Sequence, residues 1–167
     1  MTPRKAKVTA GVRATPRLWA VRSSPIHGKG VFARCAIAAG DRIIEYTGER
    51  ICEDEASARY GDEGSGQPHV VLFSLEDGTV IDGGRGGNEA RFINHSCQPS
   101  CQAVEEEGRI FIEALRTIAL GEELTYDYHL ELPGRHTRAV KSHYPCRCGA
   151  PECRGTLLAP KGRSRKG

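Results

Sequence analysis

The chain has 167 residues and a formal net charge of +3 at pH 7, a length that allows one domain with a hydrophobic core. No stretch approaches the roughly 20 apolar residues of a membrane helix, which excludes a membrane-spanning function, and 20 glycines with few aromatic residues favour short strands over a helical bundle. So small a net charge predicts that direct nucleic-acid binding is weak or absent.

In chain order, residues 1–16 are predicted to be a basic flexible tail, because they show no hydrophobic periodicity. Strands are predicted over "LWAVRSS", "VFARCAI" and "RIIEYTGERI", whose apolar residues alternate and whose ends are marked by turn residues. "CEDEASARYGD" is predicted to be a short helix, acidic at its start and closed by Gly61. A hairpin-like pair over "HVVLFSLEDGTVIDGG" turns at Asp77-Gly78.

The second half continues this mainly β pattern. "RIFIEALRTIALGEELTYDY" predicts two further strands, whereas residues 131–145 are expected to be irregular. Residues 161–167, "KGRSRKG", are predicted to be a second basic tail, because runs of like charge repel and extend. Weak contact of the tails with an acidic partner such as nucleic acid or chromatin is the alternative.

The stretch "RFINHSCQPSC", residues 91–101, is unusually rich in polar side chains. A buried core strand would not tolerate so many groups that need hydrogen bonds or ligands. A plain surface loop gives no reason for Phe92 and Ile93 directly ahead of them. The segment therefore predicts a functional site.

Seven cysteines are an odd number, which argues against a fully paired disulfide framework and for a reducing location. Cys146, Cys148 and Cys153 in "CRCGAPEC" are spaced closely enough to converge on one Zn²⁺, which prefers four ligands in a tetrahedron. Either water fills the fourth position or a distant cysteine does, and Cys97 is the candidate. Three free thiols are the alternative. Cys35, Cys52 and Cys101 are expected to be ordinary half-buried residues.

Five segments occur in the order found in SET-domain protein lysine methyltransferases, and the chain resembles that family over residues 19–158. They are "SPIHGKGVFA", "EYTGE", "GNEARFINHSCQPSC", "GEELTYDY" and "CRCGAPECRG". The last resembles the family's post-SET cysteine motif, and the trithorax-like histone methyltransferases are the most similar group. The chain departs from the larger members by lacking a pre-SET cysteine cluster.

The resemblance implies a fold of small β-sheets with a C-terminal pseudoknot, which brings "RFINHS" beside "ELTYDY". It divides the chain into a SET catalytic domain at 17–130 and a post-SET zinc knuckle at 131–160, between the two tails. It also implies S-adenosylmethionine as methyl donor, S-adenosylhomocysteine as product, and structural Zn²⁺ bound by Cys97, Cys146, Cys148 and Cys153.

Three tyrosines match catalytic positions of the family. Tyr128 matches the catalytic tyrosine that orients the amine, and whether it also acts as a base stays open. Tyr126 matches the Phe/Tyr switch position, where a hydroxyl leaves less room for added methyl groups and predicts mono- to dimethylation. Tyr46 matches a tyrosine that lines the lysine channel.

The cofactor site implied by the resemblance combines a glycine turn with the Asn-His pair. Glycine lets the backbone approach a ligand closely, and Arg91 is expected to brace the loop or the cofactor carboxylate. The cofactor-binding residues expected are His27, Gly28, Lys29, Gly30, Arg91, Asn94, His95 and Tyr128. Glu89, Glu122 and Glu123 are expected to be solvated surface carboxylates.

The resemblance predicts a protein-lysine N-methyltransferase acting on a basic protein tail, with a histone as the expected substrate. A catalytically silent SET-like peptide-binding module and a zinc-knuckle nucleic-acid binder are the alternatives. An intracellular location, cytoplasmic or nuclear, is expected because the N-terminus lacks the apolar core of a secretory signal. An exported microbial protein acting in a host nucleus is the alternative, and the sequence does not indicate an oligomeric state.

Overall fold

The computed structural model describes residues 17–61, 71–132 and 134–160, so both predicted basic tails lie outside the described residues. Within these ranges the chain is mainly β with few short helices, as the sequence predicts. The elements in chain order are β1 (Trp19–Ser23), β2 (Lys29–Ala33), β3 (Arg42–Tyr46), β4 (Glu49–Cys52), α1 (Glu53–Tyr60), β5 (Leu72–Ser74), β6 (Thr79–Asp82), a 3₁₀ turn (Glu89–Phe92), β7 (Asn94–His95), β8 (Cys101–Glu106), β9 (Arg109–Ala114), β10 (Glu123–Tyr126) and α2 (Arg138–His143).

Three small sheets make up the fold, with strand orders β1-β2-β10-β7, β3-β9-β8 and β4-β6-β5. In the first sheet β7 runs parallel to β10, with Thr125 opposite Asn94 and Tyr126 opposite His95. This pairing places the Asn-His segment beside the tyrosine segment, although about 30 residues separate them in the chain. The juxtaposition expected from the resemblance is therefore confirmed.

The core lies where the three sheets meet. Strand β9 contributes Ile110, Ile112 and Ala114 to it, and its neighbours β3 and β8 cover both of its edges. Burial of such apolar side chains stabilises the fold by roughly 1.5–3 kcal/mol each. The site strands are anchored to the same core through Ile93 and Leu124.

Helix α1 forms as predicted and ends at Gly61. Its first turn is acidic, which suits the positive end of the helix dipole. Arg59 in its last turn pairs with the buried carboxylate of Asp82 at 2.9 Å, while the Tyr60 hydroxyl donates to the same carboxylate at 3.0 Å. These contacts fasten the helix to strand β6.

Helix α2 lies within residues 131–145, so the prediction of an irregular segment there is wrong in part. None of its residues is buried, and it therefore carries no apolar stripe from which periodicity could predict it. Its signal is the cap: the Thr137 hydroxyl accepts from the Val140 backbone N–H at 3.3 Å, as threonine does at helix starts. Each helix in the described ranges falls short of the length and apolarity needed to cross a membrane.

Candidate functional site

A line of aromatic rings runs through the junction of the sheets. Tyr46 meets Phe73 edge-on at 4.7 Å between centroids, Phe73 stacks on Tyr126 at 5.6 Å, and Tyr126 meets Tyr128 at 4.9 Å. The three predicted tyrosines therefore converge, although they come from β3, β10 and the residues after β10. Phe73, on the edge strand β5, joins them, although nothing in its local sequence distinguishes it from an ordinary core residue.

The tyrosine hydroxyls at the two ends of this line donate hydrogen bonds to backbone carbonyls. The Tyr128 hydroxyl donates to the Ile93 carbonyl at 2.8 Å, and the Tyr46 hydroxyl donates to the Val71 carbonyl at 2.7 Å. Tyr46 and Tyr126 are almost fully buried. Burial raises the pKa of Tyr46, Tyr126 and Tyr128 above the ordinary value of 10, so all three are neutral hydroxyl groups at pH 7.

Asn94 is the centre of a hydrogen-bond network that joins β7 to the turn between β1 and β2. The two N–H groups of its side-chain amide are shared among three acceptors, with the nitrogen 2.7 Å from the Glu123 carboxylate, 3.0 Å from the Ser24 hydroxyl and 3.0 Å from the Lys29 carbonyl. The Ser24 hydroxyl also donates to Glu123, at 2.7 Å. Glu123 is therefore part of the site's framework, and its interpretation as a solvated surface group is wrong. Its position in β10 beside β2 is set by long-range pairing, which sequence pattern does not reveal.

The glycine turn lies directly against this network. Gly28 has a φ of +48°, which favours glycine, and a Cβ there would meet no atom within 4 Å, so the backbone is open to a ligand. At Gly30 a Cβ would collide with the Glu123 carboxylate and the Ser24 Cβ. The His27 side chain is exposed, while its backbone carbonyl faces the Asn94 amide at 3.3 Å.

Two basic side chains beside the turn stack on one aromatic ring. The ammonium of Lys29 lies 5.1 Å from the centroid of Phe92, and the guanidinium of Arg91 lies 4.7 Å from it. Arg91 also donates to the Gly87 carbonyl at 3.4 Å, so it braces the loop ahead of β7. Glu89 pairs with Arg17, and Glu122 accepts from the Ala119 N–H, both at the surface.

His95 links the tyrosine segment to the cysteines. Its Nδ1 accepts from the Tyr128 backbone N–H at 3.2 Å, and its Nε2 lies 3.3 Å from the Cys97 sulfur. The imidazole is 3% exposed, and burial lowers its pKa to about 4. His95 is therefore neutral at pH 7, with its proton on Nε2, directed at the sulfur.

Cys97, Cys146, Cys148 and Cys153 form one cluster, in which all four sulfur atoms lie within 4.8 Å of one another. The Cys97 and Cys146 sulfurs are 3.8 Å apart, which matches the separation of about 3.8 Å that metal–sulfur bonds of about 2.3 Å give in a tetrahedron. Burial raises the pKa of Cys148, but hydrogen bonds from backbone N–H groups and neighbouring thiols outweigh it and lower the pKa to about 6. The cluster could hold a metal ion, with Cys97 as its fourth ligand.

The cysteine segment is fastened to the tyrosine segment by an ion pair as well. Arg154 binds both oxygens of Asp127, with Nη2 at 2.9 Å from Oδ1, and its backbone N–H donates to the Cys97 sulfur at 3.4 Å. Of the other cysteines, Cys101 is buried and Cys35 and Cys52 are exposed, so the expectation that all three are half-buried is wrong.

These features define a class of protein: a small β-fold that surrounds a line of tyrosines and carries a four-cysteine cluster next to them. The model of the family described as SET domain matches residues 28–129. The chain belongs to the SET domain family, and the predicted resemblance is confirmed.

Curated relatives are similar over most of the chain. A protein of Candida albicans described as a histone-lysine N-methyltransferase, H3 lysine-4 specific, is 46% identical over 141 residues, 80% of this chain and 13% of that protein. The Saccharomyces cerevisiae protein of the same description is 45% identical over 80% of this chain and 12% of its own length. Human histone-lysine N-methyltransferase SETD1B is 43% identical over 80% of this chain and 7% of its own length. The chain thus spans about an eighth or less of these relatives.

Proposed function

We propose that the chain is an S-adenosylmethionine-dependent protein-lysine N-methyltransferase that acts on a basic protein tail, with a histone as substrate. The observation that carries the proposal is the convergence of Tyr46, Tyr126 and Tyr128 beside the Asn94 network. We infer that these rings border a narrow passage for the lysine side chain, which suits a reaction that must align an amine and exclude water. The relatives described as histone methyltransferases support this choice, and their printed names make an H3-tail peptide the first substrate to test.

The tyrosines would orient the lysine amine. A free lysine has a pKa of about 10.4, and burial in a desolvated passage lowers it, which favours the neutral amine that can attack. Because the pKa of Tyr128 is raised, its hydroxyl keeps its proton at neutral pH. We therefore assign it to positioning the amine and not to accepting a proton.

Tyr126 would set the number of methyl groups transferred. It is 4% exposed and packed between Phe73 and Tyr128, so its hydroxyl occupies space that a larger methylated amine would need. This supports mono- to dimethylation as the main outcome.

The cofactor would lie between the glycine turn and the Asn-His strand, and its sulfonium supplies an electrophilic methyl group. The open backbone at Gly28 and the fixed Asn94 fit such a ligand. The residues that would hold it are His27, Gly28, Lys29, Gly30, Arg91, Asn94, His95 and Tyr128. Of these, His27 contributes through its backbone, because its carbonyl and not its side chain faces Asn94.

We assign the cysteine cluster to a structural Zn²⁺ ion, because four thiolates in a tetrahedral spacing suit zinc and leave no position open for water. This ion would hold residues 146–158 against Cys97. A nuclear location, on chromatin, follows from the proposed substrate.

The test is mass spectrometry of the zinc-loaded protein incubated with S-adenosylmethionine and an H3-tail peptide or core histones, beside the Tyr128→Phe variant. We expect a gain of one or two methyl masses on a lysine with the wild-type protein and at least a hundredfold less with the variant, which loses the hydroxyl bonded to Ile93. Zinc content and melting temperature of the two proteins should agree.

The possible outcomes distinguish the proposed methyltransferase from its alternatives. Transfer that persists in Tyr128→Phe would contradict the role of this tyrosine. Absence of both transfer and cofactor binding would favour the silent peptide-binding module. Transfer to a non-histone protein alone would keep the enzyme class and replace the substrate.

A further inference from the structure

A groove of about 740 Å³ lies on the C-terminal segment. We call it the basic groove. One wall comes from the residues around α2 and the other from the chain after the cysteine cluster. Its lining residues are Arg135, His136, Thr137, Lys141, Arg154, Thr156, Leu158, Ala159 and Pro160.

The lining contains no carboxylate, and most of its cationic side chains can contact a ligand. Arg135 and Lys141 are exposed, and within the described part of the chain neither has a salt-bridge partner. Arg154 differs, because Asp127 neutralises it. The field of the groove therefore comes from Arg135 and Lys141, with Arg138 on the same short helix.

The charge of the whole chain is unevenly distributed. Residues 134–160 contain the five cations Arg135, Arg138, Lys141, Arg147 and Arg154 but only one carboxylate, Glu152, whereas acidic residues outnumber basic ones in residues 17–132. The sequence adds four more cations directly after Pro160, in "KGRSRKG". The small net charge of +3 thus conceals a basic end on an acidic body. A zinc–tetrathiolate centre carries a charge of about −2, which reduces this positive charge without cancelling it.

We propose that the basic groove binds the phosphate backbone of nucleic acid. Guanidinium and ammonium groups are the side chains that contact phosphate oxygens, and two unpaired cations in one groove followed by a cationic run suit a polymer with regularly repeated charge. None of the residues that we assign to the cofactor lines the groove.

The groove borders the proposed active site through two contacts. Arg154, in its wall, pairs with Asp127, next to Tyr128, and the Ala159 N–H donates to the Leu130 carbonyl at 2.9 Å. Nucleic acid in the groove would therefore lie beside the tyrosine segment. This arrangement fits a substrate in which a basic tail emerges from nucleic acid, which deepens the proposed function but does not depend on methyl transfer.

The experiment is fluorescence anisotropy of a labelled 20-base-pair DNA duplex of arbitrary sequence, titrated with the zinc-loaded full chain without cofactor, between 50 and 200 mM salt. Non-specific binding of this kind has a Kd of about 10⁻⁴–10⁻⁶ M, and each phosphate contact contributes about −0.9 to the slope of log affinity against log salt. The test variant is Arg135→Ala/Lys141→Ala. The matched control is Arg22→Ala/Arg34→Ala, which removes two exposed cations elsewhere.

We expect the groove variant to bind DNA about tenfold more weakly than the wild type, with the salt slope smaller in magnitude by about 2. The control should change either quantity much less, and zinc content should be equal in all three proteins. Equal loss in the groove variant and the control would overturn the proposal, since it would show only a dependence on net charge.

Two further results would also overturn it. One is loss of binding in Arg163→Ala/Arg165→Ala together with full binding in the groove variant, which would assign the contact to the terminal cations alone. The other is polyglutamate displacing DNA at equal charge concentration, which would favour an acidic protein as partner. Because no methyl transfer is measured, failure here leaves the proposed activity untouched, and failure of methylation leaves the DNA result standing.

Discussion

At the scale of single residues, His95 connects the two halves of the site. Its Nδ1 accepts the Tyr128 backbone N–H, which requires the proton to be on Nε2, and Nε2 lies 3.3 Å from the Cys97 sulfur. A thiolate bound to a metal is a good acceptor for such a proton. The position of Tyr128 is thereby linked through one buried ring to the proposed zinc site.

This environment predicts a pH dependence of stability. The pKa of His95 is about 4 in the folded chain and about 6.5 when unfolded, so the unfolded state takes up a proton first as the pH falls. The contribution of a neutral His95 is fully present above pH 6.5 and is lost as the pH falls toward 4. Between pH 7 and 4.5 the free energy of unfolding should fall by about 2 kcal/mol more in the wild type than in His95→Gln. Urea unfolding of both proteins at the two pH values measures this difference, and parallel declines would contradict it.

Tyr126 predicts a change in product. Replacing it with Phe removes a hydroxyl from a buried ring packed between Phe73 and Tyr128 and makes room for a methylated amine. In Tyr126→Phe the ratio of di- and trimethylated to monomethylated lysine should rise by about tenfold, as roughly 1.4 kcal/mol of lost steric restriction would give. Mass spectrometry of the product peptide at full conversion provides the ratio. Tyr144→Phe, which removes a hydroxyl outside the aromatic line, is the control, and an unchanged ratio in Tyr126→Phe would refute the switch.

At the scale of elements, the cysteine cluster attaches the C-terminal segment to the rest of the fold. This segment has little hydrophobic packing of its own. Helix α2 has no buried residue, and of residues 144–160 only Thr156 and Leu158 are buried. Hydrophobic burial therefore gives this segment little stability, in contrast to the β8–β9 hairpin. The proposed Zn²⁺ ion, bound by Cys97 and the three later cysteines, is expected to be its main attachment, with the Arg154–Asp127 pair in support.

It follows that Cys97→Ser should lower bound zinc to well under half of the wild-type content, because serine is a much weaker zinc ligand than thiolate. Amide hydrogen exchange should become at least about tenfold faster in residues 146–158, while residues 101–114 stay unchanged. Elemental analysis and exchange mass spectrometry measure the two effects. Cys35→Ser, which changes an exposed cysteine outside the cluster, is the control. Full zinc content in Cys97→Ser would show that the fourth ligand is a different group.

At the scale of the whole molecule, local patterns and long-range pairings were not equally predictable. Helix α1, the hairpin at Asp77-Gly78 and most strands follow from turn residues and alternation, which are local signals. The meeting of Cys97 with the later cysteines and of Asn94 with Thr125 depends on residues far apart in the chain. The incomplete ligand set of the later cysteines made Cys97 a candidate ligand, but only resemblance to a family predicted the pairing of the Asn-His and tyrosine segments.

Two residues of the site, Phe73 and Glu123, were not predicted for the same reason. Phe73 lies in a short strand and looks like an ordinary core residue until β5 is placed next to Tyr46. Glu123 resembles any surface glutamate until β10 pairs with β2 and brings it to Asn94. Helix α2 buries nothing, so its only sequence signal was the capping threonine at position 137.

The uneven charge of the molecule leads to a last prediction about its proposed substrate. Glu53, Asp54 and Glu55 begin α1, and acidic residues outnumber basic ones in residues 17–132, so we expect a basic peptide to be attracted over a distance that salt shortens. Raising the salt from 50 to 200 mM should increase KM for a Lys- and Arg-rich tail peptide by about three- to tenfold. The value of kcat should stay nearly constant, because the charges affect the encounter of peptide and protein and not the reaction of the aligned amine. Steady-state kinetics on this peptide, and on one whose flanking cations are replaced by glutamine, measure the effect. The second peptide should have a higher KM at low salt and little salt dependence. If both peptides responded alike, the acidic body would have no part in substrate selection, and specificity would rest on the aromatic passage alone.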